Sequence, residues 1–409
     1  MDQQTLRETA GEKFLGVGGG ILAPDRVEEA IAFFDDVRGI EPVLYLGDDT
    51  WLITRHEDAR TIFRDTRFSS NETAAYQDGE EVAGEGFARS MLYMDPPDHT
   101  RLRNLVQQAF VPRRLKALEG DIEQAVDKLL DAVVGHGRMD VVADYARPLP
   151  VWVISSILDV PEPDREHIQE LAQDSSLTLD MEYLSNEATE RALNASIALQ
   201  DYFRDFVEAR RISPGDDVLS GMIAAEESGE VLSNDEIVAM ADLLFVAGHE
   251  TTVNLIGNGT RAMLDHEGSL ERLAANPDLI PSAVEESLRF APSVTVNGRT
   301  ASMDLTVGDK VIKRGQYVII PMDAVNRDPE RFPDPHTFDI GRKDNAHLTF
   351  SIGPHVCLGA FLARMEARIA WRRMLERITD ISSRGPSRYR EHVTLRGLES
   401  VDIAFTAAS

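Results

Sequence analysis

Apolar positions recur at three- and four-residue intervals in five long stretches of the chain, residues 101–110, 115–134, 188–211, 234–266 and 360–377. That is the period of an amphipathic helix, and several of the stretches start or stop at Ser, Asn, Pro or Gly. Strand signals are fewer and shorter. PVLYLGDDTWLIT, residues 42–54, reads as a hairpin turning at 47–49, and residues 305–320 read as short strands broken at Gly308 and at 313–315. Residues 323–342 form a Pro- and Asp-rich coil too long for an ordinary connection, and such loops are functional or tightly packed. The pattern predicts a mainly α protein with small β-sheets.

Composition adds exclusions. With 43% hydrophobic and 27% charged residues, the 409-residue chain has a globular balance and the length to bury a large core. No linker, repeat or shift of composition divides it, so one domain over residues 1–409 is expected, with 1–39 as an N-terminal segment. Lys plus Arg number 42 against 70 Asp plus Glu, a net charge of −28, which argues against nucleic acid and anionic lipid as partners. MDQQTLRETAGEKFLG lacks the basic start and apolar run of a signal peptide, and no later stretch is expected to span a membrane; a cytoplasmic monomer is expected.

The single cysteine, Cys357, lies in FSIGPHVCLG, residues 350–359. It has no partner for an internal disulfide, so the thiol is either filler or a chemical group. As an iron ligand, a thiolate needs backbone N–H donors, positive potential and small residues that let a flat cofactor lie against the chain. Gly353 and Gly359 offer space, Phe350 can shield the sulfur, and helical periodicity begins just after Cys357, placing the sulfur at a helix N-terminus that favours an anion. A buried small hydrophobe is the plain alternative. A cysteine nucleophile is another, with no partner base identifiable.

The spacing Phe350-x-x-Gly353-x-His355-x-Cys357-x-Gly359 resembles the haem-binding loop of the cytochrome P450 family, and three further signatures stand upstream in that family's order. AGHETT, residues 247–252, supplies an acid and an alcohol in a long helix, where the glycine is expected to let the helix widen. By resemblance Thr251 and Glu250 are catalytic, handling dioxygen activation and proton relay, while Ala247 and Gly248 lie against the cofactor. A zinc-protease reading of His249-Glu250 fails because residue 253 is Val. Glu286-x-x-Arg289 puts an ion pair on one helical face, and residues 326–332 resemble the segment from which Arg327 or Arg331 would complete that pair. In DPPDHTRLR, residues 95–103, His99 and Arg103 share a helical face. With Arg299 and His355 they are implied to hold the two haem propionates. The resemblance runs from about residue 40 to the C-terminus.

It implies a single-domain triangular fold with haem b between the long central helix and the helix after Cys357, the metal ligand. The implied activity is monooxygenation of a hydrophobic small molecule, by hydroxylation or epoxidation, in secondary metabolism. GVGGGI, residues 16–21, has Ile where a dinucleotide fingerprint needs its last glycine, so electrons are expected from a separate ferredoxin and its reductase. Arg101, Arg113, Arg114, Lys116, Arg364, Arg368, Arg372 and Arg373 are the residues expected to receive an acidic ferredoxin. Substrate is expected against residues 71–91 and 177–193, Leu243, Ala247, Val294, Thr295 and Val296. A peroxide-driven peroxygenase and a non-catalytic haem-binding protein are the alternatives, and the Glu250-Thr251 pair argues against both.

Overall fold

The computed structural model describes residues 11, 14, 20–71, 89–108, 110–227 and 232–408. Its organising element is the central helix Asn234–Asp265, which starts from a capping box: Ser233 accepts from the Glu236 N–H while the Glu236 carboxylate accepts from the Ser233 N–H. Every residue from Ile237 to Val246 is buried, as expected of a helix apolar on all faces. Helices Pro148–Leu158, Arg165–Ser176, Asn186–Ile212 and Ala360–Arg377 pack around it. Two glycines permit the close approaches. A methyl group on Gly248 would press on Ile154 at 2.9 Å, and one on Gly259 would meet the Trp371 indole, whose Nε1 donates to Thr260 Oγ1 at 3.0 Å.

Among the described residues the strands make three small sheets. The largest has the order β1 (Val43–Gly47), β2 (Thr50–Ile53), β8 (Tyr317–Pro321), β5 (Val296–Ala301), β3 (Phe68–Ser69). The expected hairpin is β1–β2, turning through Asp48 and Asp49, both at positive φ as a primed turn requires. Strand β8 pairs parallel to β2, so the 305–320 stretch is divided. Its first part is a separate ribbon of β6 (Leu305–Val307) and β7 (Lys310–Ile312), turning at Gly308 with φ +57°, and Gly315 at φ +86° redirects the chain into β8. Strand β10 (Asp402–Ala407) sits between β4 (Arg138–Asp140) and β9 (Ile378–Ser383).

Helix 360–377 has the bounds its periodicity predicts. The 115–134 stretch is instead two helices, Pro112–Ala117 and Glu119–Val134, joined at Leu118. One expectation needs correction: the helical stretch Val141–Leu158 has the length and mean hydropathy, 1.2, of a membrane span. It is 67% buried against other elements, and a core helix meets the same compositional test.

Candidate functional site

The cysteine loop is closed by its own backbone. Cys357 N donates to Phe350 O at 2.8 Å and Ser351 N to Leu348 O at 2.7 Å. Gly353 has φ +77°, and a methyl group there would strike the Phe63 carbonyl, so this glycine serves the loop's path past helix His56–Arg64. Only Gly359, of the two glycines expected to make room, fronts open space. Burial pushes the Cys357 thiol above its usual pKa, while the N–H groups of Gly359 and Ala360 and the charges of Arg103 and Arg364 pull it down without outweighing burial. The residue is nevertheless exposed. The Phe350 ring carries the Arg364 guanidinium on its face, 4.5 Å from the centroid.

His99, Arg103, Arg299 and His355 come together. The imidazoles of His99 and His355 lie 4.1 Å apart, Arg103 Nη2 donates to Val356 O at 2.7 Å, and Arg299 Nη1 donates to Gly298 O at 2.5 Å. Burial, then Arg299, His99 and Arg103, lower the His355 pKa to about 3. Burial followed by Arg103 also lowers that of His99, whose two buried ring nitrogens lack a partner among the described residues. Two guanidiniums beside two neutral imidazoles, one of them orphaned, suit a doubly anionic group. With an accessible thiol at a helix N-terminus, and with Ala247 exposed in an otherwise buried stretch of the central helix, the residues fit haem b.

Behind the loop the Glu286–Arg289 pair is wholly buried, with its oxygens and nitrogens 2.8 Å apart. Arg289 also donates to the carbonyls of Asn326, Pro335 and Thr337 at 3.0, 2.8 and 2.9 Å, which uses all five of its N–H groups. The residue that completes the pair is neither Arg327 nor Arg331. It is Arg342, whose Nε lies 3.1 Å from Glu286 Oε2. Arg331 is held by Asp344 and Arg327 by Asp323, each too committed to reach Glu286. Asn345 and the Asp339 N–H also donate to Glu286, so the long coil is packed around this one carboxylate.

In the AGHETT turn the expected widening is absent: the helix runs through, and Thr251 Oγ1 donates to Ala247 O at 2.8 Å. Gly248 is given over to contact with Ile154, away from the exposed Ala247. Glu250 is 2% exposed and ion-paired to Arg390, with His249 Nε2 at 3.6 Å. Burial alone would raise its pKa, but Arg390 and then His249 outweigh burial and hold it below the usual carboxylate range.

The expected substrate residues are unequal. Leu243 is buried on the central helix, Val294 bridges to Leu395, and Val296 opens β5. Thr295 does not offer a hydroxyl, because its Oγ1 donates to Val393 O at 2.5 Å. Most of 71–91 lies outside the described residues. Within 177–193, the turn Leu177–Tyr183 is tied to a C-terminal hairpin, residues 389–398, by buried Asp180, which takes the Val393 and Thr394 N–H groups and lies 2.5 Å from His392.

The basic residues divide as well. Arg101, Arg364, Arg372 and Arg373 are paired with Glu236, Glu285, Glu123 and Asp127, whereas Arg368 donates to a backbone carbonyl, Arg364 O. Arg113, Arg114 and Lys116 are exposed, with no carboxylate partner among the described residues. Sequence reasoning missed Arg342 and Arg390. Arg342 at least ends the coil whose length is anomalous, but Arg390 carries no local signal.

A thiol at a helix N-terminus, a buried Glu-Arg pair behind it, and an acid-alcohol turn in a long helix define a haem enzyme with a cysteine ligand. Comparison with known proteins agrees. The cytochrome P450 family model matches residues 43–380. Cytochrome P450 107B1 of Saccharopolyspora erythraea is 40% identical over 371 residues, covering 87% of this chain and 89% of that protein. The 6-deoxyerythronolide B hydroxylase of the same organism is 36% identical over 378 residues, covering 89% and 92%. The ligand-free structure of Mycobacterium smegmatis CYP164A2 matches with a TM-score of 0.87 at 35% identity, over 94% of this chain and 98% of that one. The chain belongs to the cytochrome P450 family, oxidoreductases that bind haem b through a cysteine thiolate.

Proposed function

We propose that the protein is a dioxygen-dependent monooxygenase that hydroxylates or epoxidises a hydrophobic small molecule, with Cys357 as the iron ligand and a separate ferredoxin as electron donor. The observation that carries this reading is the acid-alcohol turn: a buried, ionised Glu250 beside Thr251, a pairing that a simple ligand carrier has no use for. When bound, haem b supplies the oxygen chemistry, which a thiolate ligand favours by donating electron density. Gly359 N–H, Ala360 N–H, Arg103 and Arg364 offset the charge of the Cys357 sulfur. His99, Arg103, Arg299 and His355 orient the propionates. Thr251 offers a hydroxyl that exchanges the Ala247 carbonyl for a water, and Glu250 passes protons toward it.

Leu243, Val294 and Val296 give the substrate an apolar wall, and the engaged Thr295 hydroxyl keeps that wall apolar. Arg113, Arg114 and Lys116, without a carboxylate partner among the described residues, are the cations for an acidic ferredoxin, since most of the other candidate arginines are already neutralised. The protein is read as a cytoplasmic monomer, one domain over 1–409.

The test is turnover of a panel of apolar substrates with ferredoxin, its reductase and NADPH, against hydrogen peroxide alone. Product only with the electron chain supports the reading. Product only with peroxide makes the protein a peroxygenase, and tight binding without product in either case makes it a carrier. Arg113→Glu should raise the KM for ferredoxin several-fold; an unchanged KM removes the docking assignment.

A further inference from the structure

Among the described residues, the guanidinium paired with Glu250 comes from far along the chain, at Arg390. Arg390 stands on the C-terminal hairpin, whose strands are joined by Arg390 N to Gly397 O at 2.9 Å and by the Tyr389–Leu398 bridge. Its Nη2 donates to both Glu250 Oε1 and Asn254 Oδ1, one turn apart on the central helix. The passage it takes exists because residue 397 is glycine: a methyl group there would collide with Asn254 Oδ1 and with Arg390 Nη2. Around the pair, Asn254 Nδ2 and Arg390 Nε are buried without a partner among the described residues, while His249 is tied to the Phe245 backbone of its own helix. Buried donors and acceptors of this kind take water as partner. The Arg390 side chain is 15% exposed, so it reaches from the surface to an acid that is itself enclosed.

The same hairpin lies along the presumed substrate wall. Arg396 N donates to Ser293 O at 2.8 Å, Thr295 N donates to Thr394 O at 3.0 Å, and Ser293 Oγ returns to Thr251 O at 2.8 Å. We propose that Arg390 is a positioning residue for proton delivery: it fixes the Glu250 carboxylate and lines the water path that reprotonates it, and the hairpin makes this depend on how the 293–295 segment is occupied. The inference rests on the monooxygenase reading. In each transfer a solvent proton passes through water to a Glu250 oxygen and on toward Thr251, while the guanidinium keeps its own protons. The titratable groups facing Glu250 are Arg390, His249 and, further off, His392.

The test compares haem-loaded wild type with Arg390→Gln, Arg390→Lys and Gly397→Ala. The first readout needs no turnover: infrared titration of the buried carboxyl, identified by its loss in Glu250→Gln. Arg390→Gln and Gly397→Ala should move that titration to higher pH, with Arg390→Lys restoring most of it. The second readout is ferredoxin-driven product formation, expected to fall by up to ~10²-fold with an enlarged solvent isotope effect. An infrared titration unmoved in both Arg390→Gln and Gly397→Ala overturns the proposal. Loss of the thiolate spectrum in wild type would instead overturn the functional reading, while the infrared result would still decide whether Arg390 governs Glu250.

Discussion

Two glutamate–arginine pairs, each with its glutamate buried, are built to opposite ends. Glu286–Arg289, behind the cysteine loop, has every arginine donor engaged and a second arginine, Arg342, on the same carboxylate. Glu250–Arg390, which joins the central helix to the 389–398 hairpin, leaves Arg390 Nε and Asn254 Nδ2 without a partner among the described residues. A fully satisfied network in a low-dielectric interior is rigid, because any movement strands a charge. An incompletely satisfied one keeps room for water and for motion. In the proposed mechanism the first pair holds the coil packed behind the cysteine loop, and the second stands on the path of the protons.

Arg289→Leu should break the contrast most severely. It leaves Glu286 buried with Arg342 as its one remaining arginine, costing ~3–5 kcal/mol, and urea denaturation should show a lowered midpoint with loss of bound haem. An unchanged midpoint would mean the network is decorative. Arg342→Ala, which removes the outer edge of that network, should cost about 1–3 kcal/mol in the same measurement.

A smaller effect depends on pH. Burial would raise the Glu285 pKa, but Arg364 and His347 outweigh it and bring it down to about 2. A carboxylate with a depressed folded-state pKa contributes stability above its unfolded value near 4.5, and loses that contribution as pH falls toward 2. The stability gap between wild type and Glu285→Gln should be of order 1 kcal/mol at neutral pH, after solvent screening, and close across that window. A gap that persists at pH 2 would assign the loss to packing.

Thr251→Ala should change stability least, within about 1 kcal/mol, because it gives up only a hydroxyl bonded to its own helix. Product per electron pair should nevertheless fall several-fold while oxygen consumption continues. Unaltered coupling would remove the proton role from this turn.

Much of this was legible in the sequence because it is local. The helix after Cys357, the β1–β2 turn at Asp48-Asp49 and the capping of the central helix each depend on residues a few positions apart. The partners of the two glutamates were not legible in full. Arg289 lies three residues from Glu286, but Arg342 lies 56 away, and Arg390 lies 140 from Glu250. Such contacts follow from how the coil and the hairpin fold back, which no periodicity records. Gly353 shows the same limit: its need for positive φ was hidden behind a more obvious need for space.

The most direct test of the central claim, that Cys357 is a thiolate ligand held by this scaffold, is the absorption spectrum of the dithionite-reduced protein under carbon monoxide. The account predicts a strongly red-shifted Soret band in wild type, lost in Cys357→Ser and retained in Thr251→Ala. A histidine-type spectrum in wild type, or the same band in Cys357→Ser, would contradict it.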